Sequence, residues 1–148
     1  MNLNEQEFID VTSRFNSHFN NKWLIILDYI FPKSDEIEFN IFQVKKQLDS
    51  FINTWQDEFI EKGRRSNKIY PSGEYIRFKL TERFKEFIKS IKIREWSNYG
   101  LEDISFLKNG IEILAIITHE NFIYLLMTDL QADILNNQDF NFELTIRD

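Results

Sequence analysis

Apolar positions recur along this chain with two different periods, and the period changes part-way through. In the first half the spacing is helical. Phe8, Val11, Phe15 and Phe19 fall three or four residues apart, the spacing that aligns side chains on one face of an α-helix. Asn4 followed by Glu7 supplies an N-cap with its reciprocal acidic partner, so a first helix is expected from there to the Asn20-Asn21 pair. Trp23 to Leu27 is continuously apolar, which fits a buried helix and a central strand equally. Pro32 closes that element, because the residue before a proline is pushed out of the helical region. Ile41, Val44, Leu48, Phe51, Ile52, Trp55 and Phe59 form the longest helical stripe and predict a helix over 41–59, with Gly63 as its C-cap. A basic, turn-rich stretch follows, from Arg64 to Lys68, then a turn at Tyr70-Pro71-Ser72-Gly73.

From residue 75 the pattern alternates. Ile76, Phe78 and Leu80 share one face of a half-buried strand, with Arg77 and Lys79 on the other. Thr81 caps a short helix with Glu82 in its first turn, whose apolar face is Phe84, Phe87, Ile88 and Ile91. Residues 104–107 and 111–117 make a hairpin about Asn109-Gly110, the pair preferred where both turn residues have positive φ. His119-Glu120-Asn121 marks a second tight turn before a strand over 122–127. A short helix over 129–135, capped near Thr128, and a final alternating strand over 140–146 complete the chain. Together these elements predict an α+β fold: two or three N-terminal helices packed on a mainly antiparallel C-terminal β-sheet, in one domain spanning 1–148.

Charge is sorted along the sequence. Residues 1–62 carry a net −5, residues 63–99 a net +6, and residues 100–148 a net −7, within a chain of net −6. Such segregation points to a charged partner or to pairing between segments. With 43% hydrophobic and 16% aromatic residues, 15 of them Phe, there is ample apolar area for a core, and disorder is excluded.

Candidate chemistry narrows the picture mostly by exclusion. The chain has no cysteine, which removes disulfide frameworks, thiolate metal sites and cysteine nucleophiles together. The two histidines, His18 and His119, do not form a ligand-spaced pair, which argues against a histidine-based zinc site. The carboxylate clusters at Asp35-Glu36-Glu38, Asp57-Glu58-Glu61 and Glu102-Asp103 lack the calcium-loop pattern with its central glycine and read as solvated acidic surface. No nucleophile elbow and no glycine-rich phosphate loop is present. His119-Glu120 is the most enzyme-like dipeptide, and it reads first as a turn. A non-enzymatic protein without cofactor or metal is expected. The polar, acidic start (Met1 to Glu7) has neither a basic nor an apolar leader segment. The longest apolar stretch, 23–31, is interrupted by Asp28 and falls well short of the about 20 residues a membrane span needs. A soluble, cytoplasmic location follows as the expectation.

The basic segment 64–94, with Tyr70, Tyr75 and Trp96 in or beside it, has the composition of a nucleic-acid-binding module. Residues 1–62 and 100–148 together, at −12, repel a polyanion from most directions, so binding through an acidic surface is the stronger reading. The profile resembles the immunity proteins of bacterial toxin systems, including contact-dependent growth inhibition. It does so in overall character: acidic balance, no catalytic motif, and a C-terminal run of strand, Asn109-Gly110, strand, Thr118-His119-Glu120-Asn121, strand. Such proteins are small cytoplasmic domains that bind and block a cognate toxin, often a nuclease. The resemblance implies a basic protein partner and contacts from exposed acids near element ends: Asp57, Glu58, Glu61, Glu102, Asp103, Glu120, Asp129 and Asp133. The alternative readings are a regulatory or interaction subunit with no toxin partner, and a nucleic-acid-binding module built on 64–94.

Overall fold

In the computed structural model, which describes residues 8–14, 19–65, 73–137, 140 and 143–144, one antiparallel sheet organises the chain. In order, the elements are β1 (Phe8–Arg14), α1 (Phe19–Ile30), β2 (Glu36–Ile41), α2 (Lys46–Thr54), β3 (Phe59–Arg65), β4 (Gly73–Lys79), α3 (Glu82–Ser90), β5 (Leu101–Lys108), β6 (Ile111–Ile117), β7 (Phe122–Thr128), α4 (Asp129–Asn136) and β8 (Glu143–Leu144). Short 3₁₀ segments lie at Phe31–Lys33, Ile93–Tyr99 and Thr118–Glu120. The strand order is β3-β4-β2-β5-β6-β7-β1-β8, and every pairing is antiparallel. The α+β class holds, with the sheet drawing strands from the whole chain rather than from its C-terminal part alone.

The core lies on one face of this sheet. Ile37 sits opposite both Phe78 and Phe106, Phe106 opposite Leu114, and Leu114 opposite Leu125, and all five are fully buried. Helices cover that face. Trp23 of α1 packs its ring 6.4 Å from Phe106, and Phe51 of α2 meets Phe78 edge-on at 5.5 Å. The opposite parity of the central strands is polar. Glu38 pairs across the strands with Arg77 and with Ser105, and Ser105 Oγ donates to Glu112 at 2.8 Å.

Several local predictions match the structure. The Trp23–Leu27 run, left open between helix and strand by its periodicity, is helical, with Trp23, Ile26, Leu27 and Ile30 buried at helical spacing. Thr81 caps α3 by accepting the Phe84 N–H at 3.2 Å. Asn109 and Gly110 turn with φ 52° and 78°. Thr128 and Gln131 form a reciprocal capping box at the start of α4.

Three predictions are corrected. The first helix is instead β1, all seven of whose residues pair with β7. The polar start, Phe15 and His18 lie outside the described residues, as does the turn at Tyr70-Pro71-Ser72. The 41–59 helix is shorter at both ends: Ile41 finishes β2, Val44 is exposed in a loop, and Phe59 starts β3. Gly63 is no C-cap but a β3 residue opposite Tyr75, whose ring lies against it. In each case ladder pairing with distant strands outweighs a local helical spacing, which carries no information about partners. The final strand is described only at Glu143–Leu144, paired with β1. Among the described residues no helix is long and apolar enough to cross a membrane.

Candidate functional site

The eight acids singled out from the sequence fall in three separate places. Asp57, Glu58 and Glu61 lie at the α2–β3 turn and along the edge strand. Asp129 and Asp133 belong to α4 at the end of β7. Glu102, Asp103 and Glu120 gather at the opposite end of the sheet, where β5 begins and the β6–β7 turn closes.

In the first group Glu58 and Glu61 are paired within the chain, while Asp57 is exposed. Glu58 is buried, against the expectation that it is exposed. It accepts Thr81 Oγ1 at 2.9 Å, Arg83 Nη2 at 2.7 Å and Arg83 Nε at 3.2 Å, while the Arg83 guanidinium lies 4.4 Å over the Trp55 ring. Arg83, by its hydrogen bonds, holds the Glu58 carboxyl below the ordinary carboxylate range against the opposing effect of burial, with the Thr81 hydroxyl adding to the shift. A carboxylate with a depressed folded pKa contributes stability that is present above its unfolded pKa and lost as pH falls through the folded one. We therefore expect thermal stability to drop as pH falls below about 4, and Glu58→Gln to flatten that acid limb. An acid limb of unchanged steepness in the variant, followed by circular dichroism melts, would show that Glu58 is not its source. Glu61, exposed, accepts the Tyr75 hydroxyl at 3.0 Å and faces Arg77 at 3.3 Å. Arg77 also meets Glu38 at 2.8 Å and Glu36 at 3.7 Å.

The second gathering is built by a bulge. Between Glu38↔Ser105 and Asn40↔Glu102, two residues of β5 oppose one of β2. The extra residue is Asp103, with φ 53°, a left-handed conformation that aspartate tolerates better than most side chains. The bulge turns Asp103 inward, so this residue too departs from the expected exposure. It is buried, and it accepts the Thr118 N–H on Oδ1 at 2.8 Å and Asn40 Nδ2 on Oδ2 at 3.3 Å. Its own N–H donates to Thr118 Oγ1 at 3.2 Å. These bonds clip β5 to the start of the β6–β7 turn and bring His119 beside Glu102 and Asp103. One donor atom from each of the three lies within 4.8 Å of the others. Partial burial and, secondarily, the Asp103 charge push the Glu102 carboxyl above its ordinary range, with His119 pulling the other way. His119 and Glu120 are exposed, and Asn121 turns the chain with φ 51°. Phe42 and Val44, exposed by 47% and 72%, flank this end, where the Phe42 N–H donates to Gly100 O at 3.0 Å.

The third place is α4, where Asp129 is the first residue after the Thr128 cap and Asp133 is exposed. Sequence reasoning missed Asn40 and Thr118. The alternation Glu36-Ile37-Glu38-Phe39-Asn40-Ile41 was the available signal for β2. A shallow, mostly apolar cleft of about 300 Å³ lies over Phe51, Trp55, Phe87 and Tyr99; no carboxylate, amine or imidazole lines it, so it offers no acid–base chemistry. No protein family, curated protein or solved structure matches the chain.

Proposed function

We propose that the protein acts by binding: it docks on a basic protein partner and blocks it, in the manner of an immunity protein that neutralises a cognate bacterial toxin such as a nuclease. The observation that carries this reading is the distribution of ion pairs. Among the described residues, part of the positive charge of the basic middle faces carboxylates of the same chain. Arg77 serves Glu36, Glu38 and Glu61, Arg83 serves Glu58, and Lys85 and Lys89 serve Glu82 and Glu86. The C-terminal third carries a formal −7, and its Lys108 faces Asp35, outside that third. For Arg77, Arg83, Lys85 and Lys89 the pairing weighs against phosphate binding on 64–94, because a cation already facing a carboxylate gains less on meeting a phosphate.

The docking end is the one that carries Glu120 and the exposed Phe42, an aromatic anchor with Lys45 Nζ 5.9 Å over its ring. Asp133 contributes to steering. The test is affinity capture at low and high salt, followed by titration of the purified captured protein. One basic protein is expected, released by salt, whose toxicity to growing cells the wild-type chain relieves. Glu120→Lys weakens its affinity at least about tenfold, and Asp133→Asn slows association at low salt only. Capture of nucleic acid without protein, a partner whose activity is indifferent to binding, or an affinity unmoved by Glu120→Lys overturns the reading.

A further inference from the structure

We propose that Glu102, Asp103 and His119, together with Asn40 Oδ1, form a binding site for one divalent transition-metal cation at the end of the sheet where β2 and β5 meet the β6–β7 turn. The inference is independent of any protein partner.

Its first support is the convergence of three ligating side chains from two segments, with donor atoms within 4.8 Å of one another. Donors on opposite sides of a cation with bonds of about 2.0–2.2 Å stand about 4 Å apart, so small side-chain movements close the set. Two neighbouring carboxylates, one buried and one partly buried, repel each other unless a cation lies between them. Among the described residues, neither Glu102 nor Asp103 is ion-paired with a lysine or arginine.

The second support comes from Asn40. Its side chain is 8% exposed, and its Nδ2 donates into the cluster, to Asp103 Oδ2. The other arm of the same amide, Oδ1, is buried and has no hydrogen-bond partner. A buried carbonyl oxygen left unpaired forfeits its hydration without compensation, and few native groups are left so. Asn40 lies directly across from Glu102 in the β2–β5 register, so the two side chains stand on the same face of the sheet. An orphaned acceptor on an amide already bonded to Asp103 of the cluster is what a cation there would satisfy.

The bonds around Asp103 are those of an oriented ligand. The Thr118 N–H and the Asn40 amide each occupy one lone pair of its carboxylate, fixing its plane while leaving lone pairs for a metal. One nitrogen and three oxygen donors select the ion. Imidazole suits zinc and its first-row neighbours, and carboxylates suit manganese, whereas magnesium and calcium have no need of a histidine. Exposure of His119 leaves an approach from solvent.

The test titrates the full chain with Zn²⁺ and Mn²⁺ by calorimetry, with Mg²⁺ and Ca²⁺ as comparators. Relaxation broadening by Mn²⁺ in an amide spectrum locates the ion. One ion per chain is expected, with a rise in melting temperature and broadening centred on residues 40, 102–103 and 118–119. Glu102→Gln, at a partly buried site, and His119→Ala, at an exposed one, retain the fold by circular dichroism and weaken binding at least about tenfold. No saturable binding, broadening elsewhere, affinity unchanged in both variants, or Ca²⁺ bound as tightly as Zn²⁺ and indifferent to His119→Ala overturns the site.

Discussion

Phe51→Ala lowers the unfolding free energy by about 3–5 kcal/mol, the cost of removing a buried phenylalanine and leaving a cavity. Phe51 is 3% exposed, and its ring is where four elements meet. Trp55, Phe78, Phe84, Phe87, Trp96 and Tyr99 all place ring centroids 4.9–6.4 Å from it. These rings come from the end of α2, from β4, from α3 and from the 3₁₀ segment Ile93–Tyr99, so none can move into the void without drawing its own element off the sheet. The neighbours are rigid rings rather than methionines, which limits collapse and puts the loss toward the upper part of the range. A domain with about 5–15 kcal/mol in total would then be left marginal. Urea unfolding checks this through the midpoint at constant slope. Phe42→Ala, at a half-exposed site, serves as the comparison and changes stability by about 0.5 kcal/mol or less. A Phe51→Ala loss no larger than that of Phe42→Ala would mean that the aromatic cluster does not hold α2 and α3 to the sheet.

The legible parts of the fold are those where a single residue type dictates a local geometry. Asn109-Gly110 demanded a turn with two positive φ values, and Thr81 and Thr128 announced helix starts; each is met. The hairpin, read over 104–107 and 111–117, also brings the start of β5 beside the end of β6 and the residue after it, which accounts for half of the candidate cation site. The other half arrives from Asn40, 63 residues from Asp103, through a β2–β5 pairing that no local pattern encodes. The bulge at Asp103 was hidden because aspartate tolerates a left-handed conformation without requiring one. The misread segments share one cause. Ile41 and Phe59 happen to continue the helical spacing of Leu48, Phe51 and Trp55, yet both are strand residues whose partners lie at Leu101 and Phe78. Charge sorting was visible at once, but its meaning depended on which strands became neighbours: β2, β3 and β4 lie side by side, and so Glu36, Glu38 and Glu61 close on Arg77.

Gly100→Ala carries a comparable penalty, about 2–5 kcal/mol, and tests how the β5 end of the sheet is assembled. Gly100 closes the 3₁₀ segment with φ 77°, where an L side chain costs about 1–2 kcal/mol. An added Cβ would also stand 1.9 Å from Gln43 O, a backbone atom with no freedom to swing aside. Relieving that clash pushes the 42–43 loop away and breaks the Phe42 N–H bond to Gly100 O, which adds about 1–3 kcal/mol if the freed groups stay buried. Gly110 separates the two effects, because its φ of 78° is nearly the same and an added Cβ there meets nothing within 4 Å. Gly110→Ala should therefore cost only the conformational part, about 1–2 kcal/mol. The difference between the variants in urea unfolding measures the close approach of the 42–43 loop to β5. Glu102 lies two residues beyond Gly100 and Phe42 sits against it, so Gly100→Ala also displaces both the docking end and the candidate cation ligands, whereas Gly110→Ala, at the far end of β5, leaves them in place. Equal losses for the two glycines would refute the tight loop–strand contact on which that end of the sheet depends.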